Sequence, residues 1–310
     1  MDCLVTGGAG FIGSNLVDAL LTRGDAVTVF DNLSTGKRAN LDAAVEAGAE
    51  LHVGDLRNAE QVEQVFAAAE PELVFHLGAQ IDVRSSVRDP RADALVNVVG
   101  TIAVLEAAVR TGARRVINTS TGGGLYGDAA VLPTPEDHLF QPLAPYGQGK
   151  LAAEGYCELY RKLHHLSTIS LRYGNVYGPR QDVHGEAGVV AIFCGHLVEG
   201  RMPTIYGDGN QTRDWVEVSD VVRANLIAAD SDLGGPVNIG WGEETSVLDL
   251  VAALRDVGAN GRPLPEPRFE PERAGEVRRS CLDVSKAREQ LGWEAKVRLR
   301  EGLAGILARL

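Results

Sequence analysis

The sequence has few cysteines and no long apolar run, and each shortage excludes a class of protein. Its four cysteines, Cys3, Cys157, Cys194 and Cys281, lie far apart and form no Cys-x-x-Cys pair. This spacing argues against a disulfide framework and against a zinc cage, so no metal site is predicted. No apolar run approaches the ~20 residues that a membrane span requires, and no membrane partner is expected. The first strand is predicted to begin at about residue 2, which leaves no room for a signal peptide and indicates a reduced, cytoplasmic protein.

Positive charge is also scarce. The chain of 310 residues carries 30 Lys and Arg against 42 Asp and Glu, a formal net charge of -12. A general nucleic-acid surface would need a basic stripe, so nucleic acid is not an expected partner. A local basic pocket for an anionic small molecule remains compatible with this balance.

What is present is an alternation of apolar and helical segments. Strands are predicted at 3–7, 26–31, 50–55, 72–79, 114–120 and 166–174, and several are apolar throughout, as expected for strands buried on both faces. Gly24 is a plausible end for the first helix, and one continuous amphipathic helix is predicted over 95–109. The alternation is typical of the α/β class, with a doubly wound parallel (Rossmann) sheet. From about residue 174 the pattern becomes irregular, which predicts a smaller C-terminal substrate-binding lobe.

The segment "LVTGGAGFIGSNL" places Gly7, Gly10 and Gly13 between a predicted strand and a predicted helix. Without side chains there, backbone N–H groups and the positive end of the helix can approach a pyrophosphate. The order of strand, glycines and helix is the context that supports a dinucleotide site.

Asp31 ends the second predicted strand. A carboxylate there would accept from ribose hydroxyls and repel a 2′-phosphate, which favours NAD over NADP. Lys37 and Arg38 lie nearby and could neutralise such a phosphate. Asp55 is predicted to meet the adenine, with a solvated loop aspartate as the alternative.

The segment "PYGQGK" places Tyr146 and Lys150 one helical turn apart, and Pro145 suits a helix start. A lysine one turn from a phenol can stabilise the phenolate. We therefore expect the pKa of Tyr146 to move from ~10 toward neutrality. A Tyr-x-x-x-Lys pair is common by chance, but this pair follows a dinucleotide motif and a strand end that carries Ser and Thr, which indicates catalysis.

Several segments occur in the same order as in a known family: "TGGAGFIGSNL", "VFHLGAQ", "STGGGLYG", "YGQGK", "LRYGNVYGPRQ", "YGDGNQTRDWVEVSDVV" and "NIG". Over essentially its whole length the chain resembles the extended short-chain dehydrogenase/reductase family, and within it the nucleotide-sugar 4-epimerases of the UDP-glucose 4-epimerase group. The resemblance implies a tightly bound NAD and redox-neutral inversion at C4 of a nucleotide-linked hexose, foremost UDP-glucose or UDP-galactose. Tyr146 would take the proton of the 4-hydroxyl while hydride leaves C4, and the 4-keto sugar would turn before hydride returns.

The resemblance also implies roles for individual residues. The cofactor-binding residues would be Gly7, Gly10, Phe11, Ile12, Gly13, Asp31, Asn32, Asp55, Leu56, Leu77, Ala79, Gln80, Asn97, Tyr146, Lys150 and Tyr173. The substrate-binding residues would be Arg84, Thr121, Gly122, Gly123, Tyr146, Asn175, Val189, Tyr206, Arg213 and Arg273. The catalytic residues would be Tyr146 and Lys150, with a hydroxyl from Thr121 or Ser120.

Among these, Arg213 and Arg273 would clamp the diphosphate and Tyr206 would stack on the uracil. Each has a plain alternative: Arg213 as a member of a surface ion pair, Arg273 as one charge in a charge-rich stretch, Tyr206 as packing, and Asn175 as a turn residue. The expected NAD-binding domain covers 1–174, with 214–240 returning to it. The expected nucleotide-sugar lobe covers 175–213 and 241–310. Helices near 93–111 and 146–163 resemble those of the family's dimer interface, so a homodimer is expected.

The run "STGGGLYG" departs from the family pattern, because Gly122 stands where a catalytic Ser or Thr is usual. The hydroxyl must then come from Thr121 or Ser120, and Thr121 is the nearer. Related 4,6-dehydratases carry an Asp-Glu pair at the positions of Gly123 and Gly124, and decarboxylases a Glu at Gly124. Water elimination needs such acid–base groups, and glycine supplies none. The hypothesis is that the glycines clear space in which the sugar turns.

The motifs do not select one sugar nucleotide as the substrate. A small residue at Ser280, where related epimerases place a gatekeeper, could admit a 2-acetamido sugar. Arg84 hints at an acidic sugar, whereas Asp182 would oppose the carboxylate of such a sugar. UDP-glucuronate, dTDP-glucose and UDP-N-acetylhexosamine therefore stay open beside UDP-glucose. A dehydratase or reductase and a non-enzymatic NAD sensor are the remaining alternatives.

Overall fold

The protein is built on a seven-stranded parallel sheet, as the alternating pattern predicts. The structure, a computed structural model, describes residues 1–182, 188–201, 203–258, 266–272 and 277–310. The strands are β1 (Asp2–Thr6), β2 (Ala26–Asp31), β3 (Glu50–Val53), β4 (Leu73–His76), β5 (Arg115–Thr121), β6 (Ser167–Tyr173), β7 (Asn175–Tyr177), β8 (Thr204–Tyr206), β9 (Thr212–Arg213), β10 (Trp215–Glu217), β11 (Gly235–Ile239), β12 (Thr245–Ser246) and β13 (Arg268–Glu270).

Helices cover both faces of this sheet. They are α1 (Phe11–Arg23), α2 (Asp42–Glu46), α3 (Ala59–Ala69), α4 (Val83–Arg88), α5 (Pro90–Ala94), α6 (Thr101–Thr111), α7 (Gly122–Tyr126), α8 (Pro145–His164), α9 (Val189–Val198), α10 (Val218–Asp230), α11 (Val247–Gly258), α12 (Ser285–Gln290) and α13 (Leu299–Leu307), with a 3-10 turn at Arg38–Leu41. The first helix ends where predicted, because Gly24 adopts the left-handed conformation, with φ 90°, that closes a helix.

The strand order is β3-β2-β1-β4-β5-β6-β11. The order reverses between β1 and β4, and in open α/β sheets ligands bind outside the carboxyl ends of the strands at that point. The strands are apolar on both faces because α1 and α10 cover one side and α3, α6 and α8 the other. A site at the carboxyl ends of β1, β4 and β5 is therefore set by the topology.

The helix predicted over 95–109 has an irregularity that periodicity did not show. Between α5 and α6 the chain forms a π-helical segment, Leu95–Gly100, so Pro90–Thr111 is one helix with a wider turn inside it. Among the described residues, this helix is long and apolar enough to span a membrane by length and composition alone, with a mean hydropathy of 1.7. Side chains such as Val104 and Leu105 pack in the core against α3 and α8, and core helices commonly meet this criterion.

The chain beyond β6 packs partly on the large sheet and partly in a separate cluster. Strand β11 pairs in parallel with β6, and α10 shares the core of α1, so this stretch joins the large sheet. Strands β7 and β10 pair with each other, and a separate cluster that includes Phe193, Trp215, Leu250 and Leu303 forms beneath α9, α11 and α13. The C-terminal half thus adds a second core next to the carboxyl edge of the sheet.

Candidate active site

Glycines shape the turn between β1 and α1. Gly7 has φ +70°, and a Cβ on it would lie 2.6 Å from the amide nitrogen of Gly78. A Cβ on Gly13 would overlap the carbonyl oxygen of Gly7. Gly10 is the N-cap of α1, and no side chain caps this helix. The N–H groups of its first turn therefore remain available to an anion, and a dinucleotide pyrophosphate fits this cradle.

Asp31 holds this turn in place. Its Oδ2 accepts from the amide of Ala9 at 2.9 Å, and its Oδ1 accepts from the amide of Leu33 at 2.8 Å. Each carboxylate oxygen has a further lone pair, so the ribose contact of Asp31 stays a prediction. The side-chain Nδ2 of Asn32 donates to Asp55 at 3.0 Å, and the guanidinium of Arg57 holds the pKa of Asp55 well below its usual range.

Asn97 fixes the loop that follows β4. Its Oδ1 accepts from the Gln80 amide at 3.0 Å, and its Nδ2 donates to the carbonyl oxygen of Gln80 at 2.9 Å. The same Nδ2 and the side chain of Gln80 both donate to Oδ1 of Asp93, which is buried. Asn97, on the π-helical segment, thereby holds the backbone next to Leu77 and Ala79, two of the predicted cofactor residues.

Two other predicted cofactor residues have packing roles. Leu56 is buried, and a Cβ on Gly78 would lie 2.7 Å from its Cδ1. The hydroxyl of Tyr173 accepts from Asn225 of α10 at 2.7 Å and lies 3.3 Å from Oγ1 of Thr119. The phenol of Tyr173 is therefore engaged within the protein, and a cofactor contact of this residue stays a prediction.

His76 lies buried beneath this loop in a chain of hydrogen bonds. Its Nδ1 is 2.8 Å from Oγ1 of Thr6, which also accepts from the Gly78 amide. Its Nε2 is 3.0 Å from Oγ1 of Thr101, which donates to the Asn97 carbonyl. The hydroxyl of Thr101 donates its proton to the Asn97 carbonyl and can therefore only accept from His76. His76 is accordingly assigned the neutral tautomer with a proton on Nε2. Burial lowers the pKa of His76 to about 3, with a smaller effect from Lys150.

The predicted catalytic pair lies where the motif indicates. Pro145 begins α8, and Tyr146 and Lys150 follow one turn apart. The Lys150 ammonium is buried and donates to the carbonyl oxygen of Thr119 at 2.9 Å. Thr121 caps α7, and its hydroxyl lies close enough to the Tyr146 phenol to lower the pKa of that phenol. Ser120 points to the other face of β5, and its Oγ is buried with no partner among the described residues.

The expected pKa of Tyr146 is wrong in direction for the protein alone. Burial raises the pKa of Tyr146 to about 12, opposed by Thr121 and reinforced by the negative charge of Asp93. Lys150 is not among the groups that lower it. Burial also lowers the pKa of Lys150 to about 8, against the opposing effect of Asp93. Lysine therefore does not activate the phenol by itself, because desolvation dominates both groups.

The three glycines after Thr121 each meet a different neighbour, and this revises the hypothesis of cleared space. A Cβ on Gly122 would overlap the side chain of Leu282, so this glycine serves packing. A Cβ on Gly123 would lie 3.2 Å from Oγ of Ser280, and one on Gly124 would lie 2.7 Å from Cγ2 of Thr121. One on Gly124 would also lie 3.4 Å from Cε1 of Tyr146. The Cβ positions of Gly123 and Gly124 are thus the ones that face Ser280, Thr121 and Tyr146.

The predicted substrate residues are distributed over the C-terminal elements. Asn175 begins β7, Val189 begins α9, Tyr206 ends β8 and Arg213 ends β9, all of them half-buried. Arg213 donates to the carbonyl oxygen of Thr212 at 2.8 Å. Arg84 lies in the first turn of α4, away from these strands in the chain. Arg273 lies outside the described residues.

Sequence reasoning missed the residue that joins these elements. Asp214 is fully buried; its carboxylate accepts from the amides of Trp241, at 2.6 Å, and of Gly242 and Leu282, at 3.2 and 3.1 Å. Its carbonyl oxygen accepts from the Asn175 amide at 2.7 Å. An aspartate directly before an apolar strand, in the quoted "TRDWVEV", was the available signal. Asp214 holds Leu282 over the glycine run.

A cavity of about 490 Å³ lies apart from these groups. It lies between α8, the segment 136–140 and the start of β11, with Arg172, Glu154 and Cys157 among its lining. None of the predicted site residues lines it. The Arg172 guanidinium is bound there to the Glu154 carboxylate by a 2.7 Å contact, which makes this a structural ion pair.

Comparison with known proteins finds relatives along the whole chain. The chain matches the family described as GDP-mannose 4,6 dehydratase over residues 4–306. It is 49% identical over 306 residues to a UDP-glucose 4-epimerase of Mycolicibacterium smegmatis, which covers 98% of this chain and 96% of the relative. It is 45% identical to the solved UDP-glucose 4-epimerase of Thermotoga maritima with UDP-glucose, with a TM-score of 0.95 over 99% of this chain and 98% of that one. It is also similar to the solved Thermus thermophilus UDP-glucose 4-epimerase in complex with NAD, at 40% identity and a TM-score of 0.91, over 99% and 98% of the two chains.

Proposed function

The chain belongs to the extended short-chain dehydrogenase/reductase family described as GDP-mannose 4,6 dehydratase, and we propose that it is a redox-neutral UDP-glucose 4-epimerase. The reaction inverts C4 of the hexose and interconverts UDP-glucose and UDP-galactose. The observation that carries the proposal is the meeting of Thr121 and Tyr146 beside Gly123 and Gly124, at the carboxyl end of β5.

Three residues would carry out the proton chemistry. Tyr146 exchanges a proton with the 4-hydroxyl of the sugar, and Thr121 shares a hydrogen bond with the phenol and the sugar oxygen. Lys150 holds a ribose hydroxyl of the cofactor. The chemistry supplied by bound NAD is a hydride acceptor and donor for C4, together with a positive charge that favours the Tyr146 phenolate.

The chain offers a matching set of groups for that cofactor. The cradle of Gly7, Gly10 and Gly13 would receive the pyrophosphate on the uncapped end of α1, and Asp31 would receive the adenosine ribose. We assign the adenine to Asp55, which is held by Asn32 and Arg57.

The absence of acid–base groups at two positions separates this reaction from dehydration within the same family. At positions 123 and 124 the chain has glycine, and a Cβ there already approaches Ser280 and Thr121. A water-eliminating enzyme needs a general acid and a general base near C5 and C6. An epimerase needs only the Tyr146 proton and the hydride, which favours epimerisation.

The nucleotide would bind along the C-terminal elements. We assign the diphosphate to Arg213, the uracil to Tyr206 and the sugar side to Asn175 and Gly123. Residues 1–174 and 214–240 would form the NAD-binding domain, and 175–213 and 241–310 the sugar-nucleotide lobe. The shared core of α10 and α1 supports this division.

A homodimer and a cytoplasmic location complete the proposal. Leu95 and Val99, on the helix Pro90–Thr111, and Leu159 and Leu163, on α8, are exposed apolar side chains, with 64% of Leu163 accessible. A second copy packing on these two helices would cover them. The four free, buried cysteines suit a reducing compartment.

The test uses purified protein without added cofactor, incubated separately with UDP-galactose, UDP-glucuronate, UDP-N-acetylglucosamine and dTDP-glucose. Products are separated by anion-exchange chromatography, and bound NAD is measured after denaturation. We expect UDP-galactose to convert to UDP-glucose without added NAD. Conversion of another sugar alone would change the substrate, and a 4-keto-6-deoxy product would overturn the epimerase proposal.

A further inference from the structure

The helix that carries Tyr146 has no cap of its own. Its N-cap is Ala144, which has no side-chain acceptor, and Pro145 at the first position has no N–H to donate. The amide of Tyr146 is therefore the first donor of α8 that needs a partner from elsewhere.

Ser86 of α4 supplies that partner. Its Oγ accepts from the Tyr146 amide at 3.2 Å, and its own proton is donated to the carbonyl oxygen of Val83 at 2.6 Å. Ser86 is fully buried, so water does not compete for either bond. Because the hydroxyl proton is used within α4, a lone pair is left for Tyr146.

Two glycines near the start of α8 make close contacts with neighbouring segments. Gly147 lies against the carbonyl oxygen of Gly124, and a Cβ on Gly149 would lie 2.9 Å from Oδ2 of Asp93. Such contacts limit how far α8 can move inward. The hydrogen bond from the Tyr146 amide to Ser86 is directional and holds the backbone of Tyr146 itself.

Helix α4 is in turn fixed to the loop beside the cofactor cradle. Asp82 caps α4 by accepting from the Arg84 and Ser85 amides, and the Asp82 amide donates to Oε1 of Gln80 at 2.5 Å. Gln80 is held by Asn97. A continuous path of hydrogen bonds therefore leads from the loop after β4 to the backbone of Tyr146.

We propose that Ser86 is a positioning residue for Tyr146, setting the phenol against Thr121 by capping α8 from α4. This inference rests on the proposed function of Tyr146 as the proton carrier. Apart from the backbone of Tyr146, the hydrogen-bond partners of Ser86 are not groups assigned to NAD or nucleotide, so we expect its loss to act on the chemical step. Misplacement of a catalytic group by ~1 Å can slow a reaction up to ~100-fold.

The test compares Ser86→Ala with Ser85→Ala. Ser85 lies on the same helix and bonds to Asp82 and Arg88, but not to α8. We expect Ser86→Ala to lower kcat ~10-fold, with KM and bound NAD within about twofold of wild type. Ser85→Ala should leave kcat unchanged. If Ser86→Ala does not fold, Ser86→Cys replaces it, because a thiol has similar size and is a weak acceptor.

A double variant separates positioning from helix stability. Ala144 has the extended conformation of an N-cap, with φ -146° and ψ 156°, so Ala144→Ser can cap α8 locally. In Ser86→Ala/Ala144→Ser we expect Tm to recover and kcat to stay low, because the local cap does not bind α4. Recovery of kcat in the double variant, or a kcat within twofold of wild type in Ser86→Ala, would overturn the proposal.

Hydrogen exchange keeps this inference separate from the proposed function. If the wild type interconverts no UDP-sugar, the proposed function fails, and amide exchange at Tyr146 still decides the cap. Faster exchange there in Ser86→Ala than in wild type and Ser85→Ala supports it. Unchanged exchange contradicts it.

Discussion

The backbone of Gly147 in α8 lies directly against the carbonyl oxygen of Gly124 in α7, so that a Cβ on Gly147 would overlap that oxygen. This contact sets the helix that carries the proposed catalytic tyrosine against the glycine run next to Thr121. A change at Gly147 therefore moves two parts of the site at once.

The first prediction concerns this contact. Gly147→Ala should lower kcat at least ~10-fold, because α8 must shift away from α7 and carry Tyr146 with it. The matched control is Gly155→Ala in the same helix, where a Cβ meets nothing within 4 Å. That control should keep kcat and stabilise the fold by about 0.5–1 kcal/mol. Steady-state kinetics and thermal unfolding measure both, and equal activity of the two variants would contradict the prediction.

The second prediction concerns cofactor retention. Gly13→Ala places a Cβ on the carbonyl oxygen of Gly7 and should distort the pyrophosphate cradle, so the purified variant should contain little NAD. Gly305→Ala, at an open position in α13, is the control and should retain the wild-type amount. NAD released by denaturation and quantified per protein chain gives the answer. Full retention in Gly13→Ala would mean that the cofactor lies elsewhere.

The third prediction compares two glutamates of α8. Glu154 is buried and binds Arg172 through Nε and Nη2, whereas Glu158 is half-buried and binds Arg161 and Lys162 near the surface. Glu154→Gln should lower the free energy of unfolding by about 3 kcal/mol, because Arg172 is left as an uncompensated buried charge. Glu158→Gln should change it by less than about 1 kcal/mol. Urea unfolding measures both, and similar losses would show that burial does not separate the two pairs.

The fourth prediction follows from the neutral, buried His76. Its pKa falls from 6.5 to about 3 on folding. Between these pH values His76 is protonated in the unfolded chain and neutral in the folded protein. Its contribution to stability is therefore complete above pH 6.5 and is lost as the pH falls toward 3. Below pH 6 wild type should lose about 1.4 kcal/mol per pH unit more than His76→Gln. Urea unfolding at pH 7.5, 5.5 and 4.5 tests this, with the exposed His164→Gln as control; parallel pH profiles would contradict it.

Local patterns determined much of this protein. Apolar runs predicted six of the seven strands of the sheet, because strands buried on both faces are apolar throughout. The glycines at 7, 10 and 13 indicated the turn, since only residues without side chains fit there. The four-residue spacing placed Tyr146 and Lys150 on one turn of α8. Each of these features depends on neighbours in sequence, which is why the sequence alone sufficed.

Tertiary structure decided the rest. It desolvated Tyr146 and Lys150, so the pKa of Tyr146 moved against the direction expected from the spacing of the pair, and the pKa of Lys150 was lowered. It set Leu282 against Gly122, a contact between segments that are far apart in the chain. It also brought Ser86 to the uncapped end of α8, 60 residues away. Burial and long-range contact depend on how distant segments pack, and no local pattern in the sequence encodes that packing.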